Sequence, residues 1–351
     1  MKEQIMIGNR RIGRGMPVYC VAELSANHNQ KYDDAVAIIH AAKHAGADAV
    51  KLQTYTPDTL TIQCDHDWFR AGAGTLWEGK TLYELYSEAY TPWEWQPELM
   101  NVANNLGMDL FSTPFDRSAV DFLEGMNVPA YKIASFELVD LPLIRYVAET
   151  NKPVILSAGM ATIDEINDAV TTIRETGNDQ VAILKCTSAY PAPVDEMNLR
   201  TIPDLIERYR VPVGLSDHTL DPTVPVVAVS LGASVIEKHL TLTRKIPGPD
   251  SAFSLEPAEF TEMVHAIRAA EKALGNVRYG VLEHERQSVR FRRSLFVVCD
   301  MAAGEKFTQE NVRSIRPGVG LPPKDIQAVI GKRAKKDIRK GTPLGFDLVE
   351  E

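Results

Sequence analysis

The stretch VILSAGMATIDEINDAVTTIRETGNDQVAILKC, residues 154–186, holds the pattern that decides the fold. A short apolar segment, Val154–Ser157, gives way through polar and glycine residues to Ile163–Thr176, where apolar side chains recur at helical spacing. A second apolar segment follows at Ala182–Cys186. Thr162-Ile-Asp-Glu165 fits a capping box, in which the Thr hydroxyl and the Glu carboxylate satisfy free amides of the first helical turn. Strand, helix and strand in that order make the βα repeat of a parallel sheet.

The same alternation extends outward in both directions. Tyr19–Glu23, Ala49–Gln53, Met108–Ser112, Ala130–Ile133, Val213–Ser216 and Val235–His239 read as further strands, with helices such as Asp33–Ala45 and Ser118–Met126 between them. Eight such units predict a (β/α)8 barrel. An open doubly wound sheet is the alternative, but its usual nucleotide signature, Gly-x-Gly-x-x-Gly after a strand, is missing, as is a P-loop. Thr54–Trp95 is too long for an ordinary βα loop and carries Trp68, Trp77, Tyr83 and Tyr86. It reads either as a lid over a pocket or as an extra packing layer.

With 351 residues and 44% hydrophobic composition the chain has room for about two domains. A formal charge of −9 lacks the basic excess of a general nucleic-acid binder. No apolar stretch is long enough to span a membrane, and Met1–Arg14 lacks the apolar core of a signal peptide. The four widely separated cysteines fit a reduced, cytoplasmic setting. From His284 onward the charge changes to +5, against −14 for the preceding part, which predicts domains at 1–284 and 285–351. The second holds a weak repeat: Asp300, Gly304 and Phe307 match Asp337, Gly341 and Leu344 in spacing, as expected of two related turns in a small β-rich domain.

Catalytic groups of a (β/α)8 barrel come from the C-terminal ends of its strands. In this chain those ends carry Glu23, Lys51 and Gln53, Thr113, Lys132 and Ser135, Ser157, Cys186-Thr187-Ser188, and Ser216-Asp217-His218. Ammonium groups and hydroxyls converging on one mouth suit a small phosphorylated anion. His218 and His239 end neighbouring strands and could hold one divalent metal. Glu23 is the candidate general acid or base, with a structural salt bridge as the competing reading. Lys185 could form a Schiff base with a carbonyl substrate if it faces inward, but alternation sets it opposite Cys186 and Ser188 and leaves the inward set undecided.

The segments Ala22-Glu-Leu-Ser-Ala-Asn-His-Asn-Gln30, Lys51-Leu-Gln-Thr-Tyr55, Ser112-Thr-Pro-Phe115, Leu156-Ser-Ala-Gly-Met160, Leu215-Ser-Asp-His-Thr219, Glu237-Lys-His239 and Gly248-Pro-Asp250 together resemble the sialic acid synthase family. The resemblance implies a (β/α)8 TIM barrel followed by a small antifreeze-like (SAF) domain, in a homodimer whose SAF domain covers the partner's active site. It implies condensation of phosphoenolpyruvate with an amino-sugar aldehyde, aided by a divalent metal, Mn²⁺ favoured and Mg²⁺ or Co²⁺ also suitable. It assigns Lys51, Thr113, Lys132, Ser135, Ser157, Ser188 and Ser216 to phosphoenolpyruvate, His218 and His239 to the metal, and Gln53, Tyr190, Asp250 and Arg316 to the sugar. Glu23 would manage the water and sugar protons. Ser25-Ala26 and Ser188 depart from the pattern of enzymes that use N-acetylmannosamine. With Trp77-Glu-Gly-Lys80 and Tyr90-Thr-Pro-Trp93 they resemble a branch whose acceptor is 2,4-diacetamido-2,4,6-trideoxy-L-altrose.

Overall fold

A computed structural model describes residues 2–350. The chain starts with an antiparallel hairpin of β1 (Gln4–Ile7) and β2 (Arg10–Gly13). Eight parallel strands then close a barrel: β3 (Tyr19–Glu23), β4 (Ala49–Thr54), β5 (Asp109–Pro114), β6 (Tyr131–Ile133), β7 (Val154–Ser157), β8 (Val181–Cys186), β9 (Val213–Asp217) and β10 (Val235–His239). The ring closes where β10 pairs with β3, from Val235 beside Tyr19 to His239 beside Glu23. The strand expected to end at Ser112 runs on to Pro114, which brings Thr113 into the ladder opposite Gln53.

Helix α1 (Tyr32–His44) follows β3, and the long connection after β4 carries α2 (Pro57–Leu60), α3 (Leu82–Ala89) and α4 (Gln96–Asn105). One helix follows each later strand: α5 (Arg117–Met126), α6 (Leu141–Ala148), α7 (Ile163–Glu175), α8 (Thr201–Tyr209), α9 (Thr223–Ser230) and α10 (Pro257–Leu274). Thr162 and Glu165 form the expected capping box at the start of α7. Among the described residues no helix is long and apolar enough to cross a membrane.

Strand alternation sorts the apolar residues into two cores. Cys20, Val50, Leu110, Ile133, Ile183 and Ile236 pack outward against helix residues such as Ile38, Leu123 and Ile173. Val21, Ala49, Phe111, Ile155, Leu184 and Val235 face inward and meet Ile5, Ile7 and Ile12 of the hairpin, which plugs the N-terminal end of the barrel. This plug was not legible in the sequence, because each of its strands is four residues long and Arg10 and Arg11 open the second. On β9 the inward position falls to Gly214, where a Cβ would come within 2.3 Å of the Val235 carbonyl oxygen.

The chain divides into two compact units, Met1–Gly275 and Asn276–Glu351. The compositional boundary at 284/285 lies just inside the second. That unit contains β11 (Ser294–Val297), β12 (Val312–Ile315), antiparallel to each other, and a short α11 (Ile326–Val329). Leu295, Val297, Phe307, Val312, Val329 and Leu344 form its own core.

The weak sequence repeat corresponds to a reciprocal arrangement. Asp300 Oδ1 accepts the Lys340 amide and Asp337 Oδ1 accepts the Ala303 amide. Met301 and Ile338 exchange backbone hydrogen bonds. Gly304 and Gly341 both sit at positive φ, +80° and +86°, where glycine avoids the strain of a side chain.

Candidate active site

Along most barrel strands the inward side chains change from apolar to polar toward the C-terminal end. On β3 the series is Tyr19, Val21, Glu23; on β4 it is Ala49, Lys51, Gln53; on β10 it is Val235, Glu237, His239. With a period of two, the apolar lower layers support a charged top layer. A cavity of 580 Å³ opens above it.

At the floor of this cavity Lys51, Lys132 and Glu237 are almost fully buried, and Glu23 lies fully buried just beneath them. Lys51 Nζ lies 2.5 Å from Glu23 and 3.6 Å from Glu237, whose carboxylate is also 3.5 Å from Lys132 Nζ. Lys51 also donates to Thr113 Oγ1 at 3.3 Å, Gln53 donates to Glu23 at 3.1 Å, and Ser216 donates to Glu237 at 3.3 Å. Isolated charges could not stay there, since unpaired burial costs several kcal/mol per ion.

The pairing divides the proton affinities. Burial raises the Glu23 carboxyl above its ordinary value despite the pull of Lys51. Burial also pushes at Glu237, but Lys132 and Lys51 outweigh it and hold this carboxyl below the usual range. Lys132 is lowered by burial, partly offset by Glu237. Lys51 is also burdened by burial, yet Glu23 and Glu237 keep it raised.

His218 and His239 stand together, ring centroids 5.3 Å apart. Nδ1 of His218 contacts the Thr187 carbonyl oxygen at 3.0 Å, and Nδ1 of His239 contacts Ser25 Oγ at 3.1 Å. Both rings line the cavity, and burial with the neighbouring His218 holds His239 well below its ordinary pKa. Two oriented imidazoles with Nδ1 engaged and Nε2 left for a ligand suit a divalent cation, and oxygen donors from water or substrate would complete its shell.

The remaining expected residues divide into three groups. Ser135, Ser157, Ser216, Tyr190 and Asp250 line the same cavity as Lys51, Gln53, Lys132 and the histidines. Thr113 stands behind them as a partner of Lys51, and Ser188 Oγ lies 3.7 Å from Cys186 Sγ beside Gly159. Arg316 is exposed in the second unit. Ser157 Oγ and Glu237 Oε2 are buried at the floor with no hydrogen-bond partner among the described residues, and Glu23 Oε2 beneath them has only its ion pair with Lys51.

The register also decides the Lys185 question: Cys186 faces the cavity, while Lys185 points away and donates to the Cys186 carbonyl and to Thr187 Oγ1. Burial raises the Cys186 thiol, but His218 beside it more than offsets this, to about 7.

Several cavity residues were not singled out from sequence. Glu237 was legible, because it lies two residues before His239 on the same strand face. Glu137, Phe253 and the inward stripe of α3 come from loops and an inserted helix, where no strand period applies. Burial raises the Glu137 carboxyl to about 7. Phe253 packs against His239 and Tyr190, at centroid distances of 4.9 and 5.0 Å. Of the aromatics in the long connection, Trp77 and Tyr86 line the cavity, whereas Trp68 is exposed. Trp77 reaches Tyr190 and donates its indole N–H to the Pro249 carbonyl at 2.9 Å.

Paired lysines and carboxylates thus stand beside two imidazoles at the C-terminal mouth of a closed barrel, a setting suited to a small anion. The chain belongs to the NeuB family, which it matches over residues 38–279, and it carries a SAF domain over residues 292–350. It is 45% identical to pseudaminic acid synthase of Helicobacter pylori over 335 residues, 95% of this chain and 98% of that one. Pseudaminic acid synthase of Campylobacter jejuni serotype O:2 is 46% identical over 327 residues, 93% of this chain and 95% of that one. The crystal structure of N-acetylneuraminic acid (sialic acid) synthetase from Leptospira borgpetersenii is similar with a TM-score of 0.73 at 29% identity, covering 83% of this chain and 97% of that one.

Proposed function

We propose that this chain is a pseudaminic acid synthase: it condenses phosphoenolpyruvate with 2,4-diacetamido-2,4,6-trideoxy-L-altrose and water, giving pseudaminic acid and phosphate. The observation that carries the reading is the convergence of Lys51, Lys132, Glu237 and the two histidines on one cavity, with Glu23 buried behind Lys51 and Gln53, in a chain so similar to enzymes of that name.

The phosphoenolpyruvate phosphate fits the Lys51 and Lys132 end. There Ser135, Ser157 and Ser216 supply hydroxyls, the unpartnered Ser157 Oγ offering an unused donor, while Thr113 supports Lys51 from behind and Ser188 stands beside Cys186. A divalent ion held by His218 and His239 would polarise the aldehyde oxygen as a Lewis acid. Carbon 3 of phosphoenolpyruvate attacks the aldehyde carbon, whose oxygen takes a proton. Water adds at carbon 2, and the tetrahedral intermediate expels phosphate by C–O cleavage, leaving the 2-keto acid. Glu23, raised by burial and held by Lys51 and Gln53, can donate to the aldehyde oxygen and then accept the proton of the water. The lysines stabilise the charge of the departing phosphate.

Gln53, Tyr190 and Asp250 stand where the sugar would lie, and Asp250 accepts the Ala26 amide at 3.3 Å. The same reading takes the enzyme as a cytoplasmic homodimer in which the SAF unit of one chain covers the partner's site and Arg316 meets the sugar across the interface. It is supported by the SAF match and the exposed Arg316.

The test is phosphate release from phosphoenolpyruvate with the altrose derivative or N-acetylmannosamine, each with Mn²⁺ and with EDTA, and mass analysis of the product. Metal-dependent release with the altrose sugar alone, giving a nine-carbon acid, is the expected result. Release with N-acetylmannosamine alone would reassign the acceptor, and no release with either sugar would overturn the reading.

A further inference from the structure

Helix α3 turns an apolar stripe toward the reaction cavity instead of toward a core. Leu82, Leu85, Tyr86 and Ala89 recur at the i, i+3, i+4, i+7 spacing of one helical face, and all four line the cavity. Thr81 and Glu84 form a capping box that fixes the start of this helix. Its aromatic member is tied to the barrel: Tyr86 meets Tyr55 edge-to-face at 5.7 Å, and Tyr55 meets Phe115 at 5.1 Å.

Strand β4 sets the distance between this wall and the chemistry. Lys51, Gln53 and Tyr55 all line the cavity, and at roughly 3.3 Å per residue they space an ammonium, an amide and an aromatic ring over about 13 Å. The acceptor's aldehyde carbon must lie at the lysine and histidine end, against phosphoenolpyruvate. An open-chain sugar extended from that point carries its carbons 4 to 6 toward Tyr55 and α3. A hydroxyl placed against the Leu82, Leu85 and Ala89 side chains would lose its water without gaining a partner from them, whereas a methyl group would lose nothing.

We propose that the α3 stripe, with Tyr55 and Phe115, is the specificity surface that receives the carbon 6 methyl and the carbon 4 acetamido methyl of the acceptor. The proposal rests on the functional reading above and assigns the discrimination to an inserted helix outside the barrel strands. It makes selection a matter of excluding a hydroxyl at carbon 6, separate from phosphoenolpyruvate binding at the floor.

The test compares kcat/KM for 2,4-diacetamido-2,4,6-trideoxy-L-altrose with that for its 6-hydroxy counterpart, in the full-length wild type and in Leu82→Gln and Ala89→Ser. The wild type is expected to prefer the 6-deoxy sugar by at least ~10-fold, the order of discrimination reached by hydrophobic pockets. In Leu82→Gln that ratio is expected to fall toward one, with the KM for phosphoenolpyruvate unchanged, and Ala89→Ser is expected to lower it to a smaller extent. An unaltered ratio in both variants, or a wild type without preference, overturns the proposal. A wild type that releases phosphate with neither sugar overturns the underlying reading, and the proposal with it.

Discussion

Gly159 shows how little space surrounds the proposed phosphate position. Its amide donates to Ser135 Oγ at 3.1 Å, and a Cβ would come within 2.3 Å of Ser188 Oγ and 2.7 Å of Ser135 Oγ. Gly159→Ala is therefore expected to displace both hydroxyls and raise the KM for phosphoenolpyruvate by ~10-fold or more, the weight of one or two hydrogen bonds to a charged group. Steady-state kinetics checks it. His28 governs stability instead. It accepts the Gln30 amide at Nδ1, contacts Thr91 Oγ1 through Nε2, and burial lowers its pKa from 6.5 to about 4. Between those values the unfolded chain takes up a proton that the folded chain refuses, so stability falls as pH drops from 6.5 to about 4, by at most ~3 kcal/mol. Denaturant midpoints at pH 7 and 4.5 should show this loss, with a smaller pH dependence in His28→Asn. At this scale position was legible wherever a strand end could be read: Glu23, Lys51 and His239 fall on the inward face at the ends of their strands, and Glu237 would have followed from alternation with His239. The choice between Lys185 and Cys186 needed the barrel register, which no local pattern contains.

At the level of elements, the strands Tyr19–Glu23, Val154–Ser157 and Val235–His239 were legible to the residue, because apolar runs ended at polar barrel tips. The hairpin at the barrel's base was not, since Arg10 and Arg11 break its apolar pattern and only tertiary packing makes Ile5, Ile7 and Ile12 a core. Ile7→Ala is expected to cost about 2–5 kcal/mol through the cavity it leaves. The denaturant midpoint should report that loss while the KM for phosphoenolpyruvate, set at the other end of the strands, stays unchanged. The long connection after β4 illustrates the reverse limitation. Its length and aromatic content marked it as unusual, but only the structure shows which face of α3 meets the cavity.

For the whole molecule, the reading of the SAF unit as the cover of a partner's site has a direct genetic test. In mixed dimers of Arg316→Ala and Glu23→Ala chains, supply across the interface leaves one site with both defects and the other intact. Activity should therefore appear on mixing two inactive or weakened preparations, and supply within one chain would leave every site defective. The change from −14 to +5 near residue 284 disclosed a separate second unit, and the spacing of Asp300 and Asp337 hinted at its internal symmetry. That symmetry has a consequence in time. The turn at Asp300 closes on the Lys340 amide and the turn at Asp337 closes on the Ala303 amide, so a chain still being synthesised cannot finish the first before the second has emerged. The barrel strands, complete by His239, have all emerged well before Lys340, on which completion of the first SAF turn depends.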